Sequence, residues 1–189
     1  MKKEKAIFQI DSKFIIEDTG KYGLGVFANQ NFKKGEVITA LKGEIITFDE
    51  CIKRIKTGAE NQTDSLQVGL EQDMDLDELS RIFNHSCEPN AGLRKISELV
   101  AIRDIKKGEE ITYDYSATIG PNIPESLWAM PCECGAKSCR KVLGNVLTIP
   151  HKQLTKYQRA GALQDYIIKE LNIIKDLGGK LPKYKKIKL

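Results

Sequence analysis

Cys132, Cys134 and Cys139 fall within eight residues of one another, in Pro131-Cys132-Glu133-Cys134-Gly135-Ala136-Lys137-Ser138-Cys139-Arg140. No apolar stretch follows the basic start Met1-Lys2-Lys3-Glu4-Lys5, so nothing reads as a secretory leader. Clustered thiols are then better read as metal ligands than as disulfides. A C-x-C-x4-C run supplies three thiolates, whereas zinc in a closed structural site takes four. The fourth must come from elsewhere in the chain. Cys87, alone behind His85-Ser86, is the better candidate, because Cys51 sits in a helical stretch where a small buried thiol is expected. Catalytic thiol chemistry competes, but three close cysteines without a dedicated histidine fit it poorly. A zinc site of this kind obliges residue 87 to meet residues 132–139.

The rest of the chain reads as many short strands and few helices. Residues 7–10, 14–17, 26–28, 37–41 and 44–47 are β-branched or aromatic runs between Gly, Asn and Lys-Gly turns. Residues 49–56 predict a helix capped by Asp49, with Gly58 beyond its end. A strand is expected at 65–70, a hairpin from 91–96 and 99–103, and a further strand at 110–113. Glu71 to Glu78 holds five acids and no base, read as a solvated turn. The segment 32–39 echoes 105–112, both being a Lys-Lys-Gly-Glu corner leading into a strand. Residues 116–131, with three prolines, read as an irregular connection. An apolar helical stripe over 163–177, ending at Gly178-Gly179, is expected to pack on the body.

A length of 189 residues fits one domain with an appendage. With 41% hydrophobic and 30% charged residues, collagen-like, coiled-coil and wholly disordered chains are excluded. The longest apolar runs are far too short for a membrane span, so a soluble chain is expected. Charge is unevenly placed. Residues 151–189 carry ten Lys or Arg against three acids, net +7, while the first 150 carry 20 against 23, net −3. That basic end permits contact with nucleic acid or an acidic partner, but a solvated helix and frayed tail is the favoured reading, since no aromatic or Arg pattern accompanies the lysines. No P-loop, H-E-x-x-H or G-x-S-x-G run occurs.

Four separated segments, in order, resemble the SET-domain protein lysine methyltransferases. Gly23-Leu24-Gly25-Val26-Phe27-Ala28 resembles the family's N-terminal G-x-G strand. Arg81-Ile82-Phe83-Asn84-His85-Ser86-Cys87-Glu88-Pro89-Asn90 resembles its R-F-I-N-H-S-C-x-P-N motif, with Ile82-Phe83 reversing the usual aromatic-aliphatic order. Gly108-Glu109-Glu110-Ile111-Thr112-Tyr113-Asp114-Tyr115 resembles G-E-E-L-T-Y-D-Y, and the cysteine run resembles the zinc-binding post-SET tail. The likeness runs from about residue 12 to 145. No cysteine-rich pre-SET segment accompanies it.

The resemblance implies a mainly β fold of small curved sheets with a few helices, with a pseudoknot where the segments around residues 84–87 and 113–115 cross. It implies a SET domain over 1–130 with a helical insert at about 49–80, a post-SET zinc segment over 131–145, and a C-terminal helical extension with a basic tail over 146–189. It implies S-adenosylmethionine as methyl donor, bound by Tyr22, Gly23, Leu24, Arg81, Asn84, His85 and Tyr115. Ser65-Leu66 falls near the donor too, but Leu66 departs from the family's aromatic residue there. Tyr115 matches the catalytic tyrosine and Tyr113 the position that tunes how many methyls are added. One structural zinc is implied on Cys87, Cys132, Cys134 and Cys139, with His85 not a ligand.

The function so implied is methyl transfer to the ε-amine of a protein lysine, mainly monomethylation with dimethylation as a secondary product. The substrate is a protein, with a histone or chromatin-like protein among the candidates. The alternative is a catalytically weak SET-like module that binds a protein or nucleic acid through the basic tail. The reduced thiols fit a cytoplasmic or nuclear compartment, and delivery into another cell is compatible with the same sequence.

Overall fold

The computed structural model describes residues 11–21 and 23–184. The strand expected at 7–10, the donor-side Tyr22 and the last five residues of the lysine tail lie outside these. β1 (Phe14–Asp18) and β2 (Leu24–Ala28) form an antiparallel hairpin in the register Phe14↔Ala28 to Asp18↔Leu24. The bend is closed by the Thr19 N–H on the Gly23 carbonyl at 2.7 Å, and Gly23 takes φ +82°, a region that favours glycine. β3 (Val37–Ala40) lies beside β8 (Glu98–Ala101), which pairs with β7 (Ala91–Arg94). β4 (Gly43–Thr47) joins β6 (Gln72–Leu76) and then β5 (Ser65–Gly69), and β9 (Met130–Pro131) pairs with β10 (Val142–Leu143). All these ladders are antiparallel.

The two echoing corners pair with each other. Phe32 and Ile105 exchange both backbone hydrogen bonds at 2.9 Å, and the glycines behind them, Gly35 and Gly108, share φ +86°. Their continuations then differ. Residues 37–40 enter a ladder, but 110–113, expected as a strand, form none. Ile111 donates to Val26, Ala91 donates to Thr112, and Tyr113 donates to Asn84 while accepting from Ser86. The run leaves β2, which it meets at Glu110 and Ile111, for Ala91 and then residues 84–86, so no single ladder spans it. Here the segments at 84–86 and 113–115 lie side by side, joined by a parallel bridge between His85 and Tyr113.

The stretch 49–80, expected as a helical insert, holds one nine-residue helix, α1 (Phe48–Lys56), and then the β5–β6 hairpin. Thr47, not Asp49, caps α1. Its extended backbone brings Oγ1 to the Glu50 N–H at 3.2 Å, while Asp49 and Glu50 place charge in the first turn. The acidic run 71–78 is not a solvated turn either. It makes β6, where Met74 and Leu76 enter the core, Asp73 is buried on the opposite face, and Asp75 pairs with Arg54 and Arg81. Alternation along a strand overrides composition here.

The main core lies between the sheets, around Phe14, Phe32, Ile38, Phe83, Leu99 and Ile111. The stripe expected over 163–177 forms one helix, α3 (Asp165–Asp176), and a further helix, α2 (His151–Arg159), precedes it beyond Gly161, φ +60°. Tyr157, Leu163 and Ile167 pack with Val100 and Ile102 behind β8. A third cluster gathers Cys87, Ile123, Trp128, Cys132 and Leu143. No helix of the described residues is long and apolar enough to cross a membrane.

Candidate active site and metal centre

Glycine chemistry brings the first hairpin against the centre of the molecule. A Cβ on Gly25 would lie 2.7 Å from Glu110 Oε1 and 3.1 Å from Asn84 Nδ2, so a side chain there would push the hairpin away. Asn84 uses this approach: Nδ2 donates to the Leu24 carbonyl at 3.0 Å and to Glu110 Oε1 at 2.8 Å. One side-chain amide thus joins the G-x-G strand, the N-H-S-C segment and the extended run ending at Tyr115. A cleft of about 280 Å³ opens beside it, lined by Asn84, His85, Ser86, Glu110 and Cys134 among others. Leu24, half exposed, and Gly23 stand near this amide, whereas Arg81 turns elsewhere. Its guanidinium bonds the Leu76 carbonyl, pairs with Asp75 and lies 3.7 Å from Asp64.

Tyr113 and Tyr115 come together with ring centroids 4.9 Å apart, and His85 lies 5.3 Å from the Tyr115 ring. Tyr115 donates its hydroxyl to the Phe83 carbonyl at 2.9 Å. Burial, helped by the negative charges of Glu110 and Asp64, pushes its phenol well above the ordinary range, so the hydroxyl stays protonated near neutral pH. Burial does the same to Tyr113. The pair therefore offers two neutral phenols and apolar ring faces.

His85 Nδ1 accepts the Tyr115 N–H at 3.2 Å. Burial, with Arg140 helping and Asp114 opposing, lowers its pKa to about 4, so the ring is neutral. A neutral imidazole whose Nδ1 lone pair is taken carries its proton on Nε2. That nitrogen lies 3.3 Å from Cys87 Sγ and donates to it.

The thiols meet as the spacing demands. The donor atoms of His85, Cys87, Cys132 and Cys134 all lie within 4.8 Å of one another. Cys87 and Cys132 sulfurs are 3.8 Å apart, and Cys139 Sγ adjoins at 3.7 Å from Cys132 Sγ. Two sulfurs about 2.3 Å from a tetrahedral zinc stand about 3.8 Å apart, so these separations suit that ion. Sulfur is held by backbone as well: Cys87 N–H points at Cys134 Sγ and Arg140 N–H at Cys87 Sγ, both at 3.4 Å. Burial raises the Cys87 and Cys132 thiols. At Cys134 burial is outweighed by the N–H groups of Cys87 and Ala136, which bring the thiol down to about 7. Cys51 stays apart, buried against Ser65 Oγ at 3.2 Å.

Sequence reasoning passed over the residues that lock this centre. Arg140 grips Asp114 with both terminal nitrogens, at 2.7 and 2.5 Å, and reaches Ser116 Oγ. Tyr157 of α2 donates to the same carboxylate at 3.0 Å, and Gln153 reaches both Tyr157 and the Cys87 carbonyl. The signals were the acid between two tyrosines and the arginine directly after Cys139. His151, exposed at the start of α2, joins none of this.

Comparison with known proteins places this arrangement. The methyltransferase domain of human histone-lysine N-methyltransferase SETMAR superposes with a TM-score of 0.55 at 26% identity, over 70% of this chain and 58% of that one. KRYPTONITE, solved in complex with mCHG DNA and SAH, shares the fold with a TM-score of 0.51 at 24% identity, over 70% of this chain and 29% of that one. The architecture is that of a SET methyltransferase domain. The SET domain family model matches residues 23–116, and the chain belongs to that family.

Among curated relatives, the H3 lysine-4 specific histone-lysine N-methyltransferase of Schizosaccharomyces pombe is 37% identical over 134 residues, 64% of this chain and 14% of that protein. Histone-lysine N-methyltransferase ASHH3 of Arabidopsis thaliana is 34% identical over 146 residues, 70% of this chain and 38% of that protein. The human H3 lysine-36 specific enzyme is 32% identical over 135 residues, 65% of this chain and 5% of that protein. The chain thus spans well under half the length of each.

Proposed function

We propose that this protein transfers a methyl group from S-adenosylmethionine to the ε-amine of a protein lysine, a histone being the first substrate class to test. The observation that carries the reading is the neutral tyrosine pair, joined through His85 and Asn84 to the Gly23-Leu24-Gly25 strand. Similarity to curated histone-lysine methyltransferases supports it. When bound, the donor supplies an electrophilic methyl on a sulfonium. Gly23, Leu24, Asn84 and His85 are the residues proposed to hold it, along the cleft beside Asn84.

The protein's own part is alignment and exclusion of water. Well-oriented sites of this kind contribute ~7–11 kcal/mol toward a barrier. A lysine amine must be neutral to attack, and apolar burial between the tyrosine rings favours that form. Tyr115, whose hydroxyl stays protonated, orients the reacting groups and is not the base, so the lysine proton leaves to solvent. The Tyr113 hydroxyl is proposed to hold space that a further methyl would need, giving mainly monomethyl-lysine with dimethyl-lysine second.

For the metal, Cys87, Cys132, Cys134 and Cys139 are the proposed zinc ligands. His85 is proposed to steady the Cys87 thiolate through its Nε2–H, since its only lone pair faces the Tyr115 N–H.

Transfer of labelled methyl to core histones tests the reading. Label on a lysine, falling ~10²-fold or more in Tyr115→Phe, is the expected result. Mass spectrometry of the product should show mono- over dimethyl-lysine, with Tyr113→Phe shifting it toward higher states. No label on any protein by zinc-loaded enzyme would overturn the proposal.

A further inference from the structure

A cavity of about 210 Å³ lies beneath α1, between the β5–β6 hairpin and residues 119–128. That volume admits one long side chain and falls short of a nucleotide or other drug-sized ligand. Its walls include Phe48, Ile52 and Trp128, while Gln67 and Asp73 stand directly opposite each other across the two strands.

These two polar residues are buried to 2% and 4% exposure. The Asp73 side chain makes no hydrogen bond or ion pair within the described residues, and its Oδ2 is fully enclosed. Gln67 is half-satisfied: Oε1 accepts from the Gly120 N–H at 2.7 Å and from the Tyr166 hydroxyl at 3.3 Å, while Nε2 has no partner. Isolated buried carboxylates are costly, and burial alone pushes this one up to about 7. Unpartnered charge facing an apolar-walled cavity is the arrangement a cationic side chain completes. Its methylenes would lie along Phe48 and Ile52, its head would meet Asp73 beside the Trp128 ring, and Gln67 would donate to the second carboxylate oxygen.

We infer that this cavity is a specificity pocket for a basic side chain, arginine or lysine, neighbouring the target lysine in the substrate. The inference rests on the lysine-methyltransferase reading for its substrate but not for its chemistry. The wall cluster containing Trp128 and Ile123 also packs the Tyr115 ring, so pocket and tyrosine pair share one apolar layer. The occupant cannot be the reacting lysine itself. An amine on a carboxylate is held protonated, whereas the attacking amine must be neutral. Lys56 lines the cavity too, but it is exposed in the last turn of α1 and forms no ion pair with Asp73.

Trp128 is the only tryptophan in the chain, so its fluorescence reports this pocket without any methyl transfer. Titration of the zinc-loaded protein with Nα-acetyl-arginine methylamide, and separately the lysine compound, should give a saturable change with one or both. The neutral citrulline and norleucine analogues should give none. Asp73→Asn should weaken binding roughly tenfold to hundredfold, and Asp73→Glu should retain part of it. Equal binding of the neutral analogues, unchanged binding by a cooperatively folded Asp73→Asn variant, or no saturable change with either basic compound would overturn the pocket. None of these outcomes bears on whether methyl is transferred, so the two proposals fail separately.

Discussion

Asp114 and Asp73 are both carboxylates less than 5% exposed, and they live in opposite circumstances. Asp114 has both oxygens gripped by Arg140 and a further bond from Tyr157. Asp73 has nothing. The first sits where the N-H-S-C segment, the tyrosine pair, the cysteine run and α2 converge, and each of those elements contributes a partner or a neighbour. The second lies on a cavity wall. A buried network that is satisfied acts as a joint; a buried carboxylate left open must take up a proton or a partner.

That contrast can be broken most forcefully at the metal. If the proposed zinc is bound, chelating it removes a tie between Cys87 and the cysteine run, and structural zinc is worth ~10–16 kcal/mol in small zinc-binding peptides. Loss of more than ~10-fold in S-adenosylmethionine affinity by calorimetry is the expected result, together with a lower melting temperature. Unchanged affinity in a sample shown to be zinc-free would mean the joint and the donor cleft are independent.

Arg140→Ala should come next. It strands a carboxylate whose side chain is 1% exposed, and such losses cost about 3–5 kcal/mol, readable in urea unfolding. A cost below ~1 kcal/mol would place Asp114 with exposed surface pairs instead.

Asp73→Asn should move stability the other way and by less. The folded carboxyl titrates at about 7, raised by burial, against about 3.9 in an unfolded chain. The folded state therefore holds this proton more tightly, and the charged form weakens the fold. The penalty is absent below about pH 4 and grows as pH rises through 7. Cys51 from α1, Tyr166 from α3 and Lys56 at the rim are the ionisable groups facing it, and none neutralises it. The variant should melt ~2–6 °C higher at pH 8, with the gain vanishing toward pH 4. A gain independent of pH would assign the effect to packing.

Much of the fold was legible because strand runs, Gly turns and cysteine spacing are local signals. The hairpin of β1 and β2, the corners at Gly35 and Gly108, and the meeting of Cys87 with the cysteine run all follow from them. Composition misled at 71–78, where five acids concealed a strand with one face in the core. Periodicity was a sound guide at 163–177, where one helix, α3, forms, and misled at 110–113, whose residues bridge several segments without forming a ladder.

The sequence by itself determined the chemistry available: paired tyrosines, a G-x-G strand, an asparagine-histidine pair, three clustered thiols and a fourth candidate in Cys87. Only the tertiary structure decided which nitrogen of His85 carries the proton, which carboxylate Arg140 grips and which one is left bare. Donor, acceptor and charge are properties of a residue. Whether each is satisfied depends on which distant segments are packed against it, and that is settled only when the chain closes.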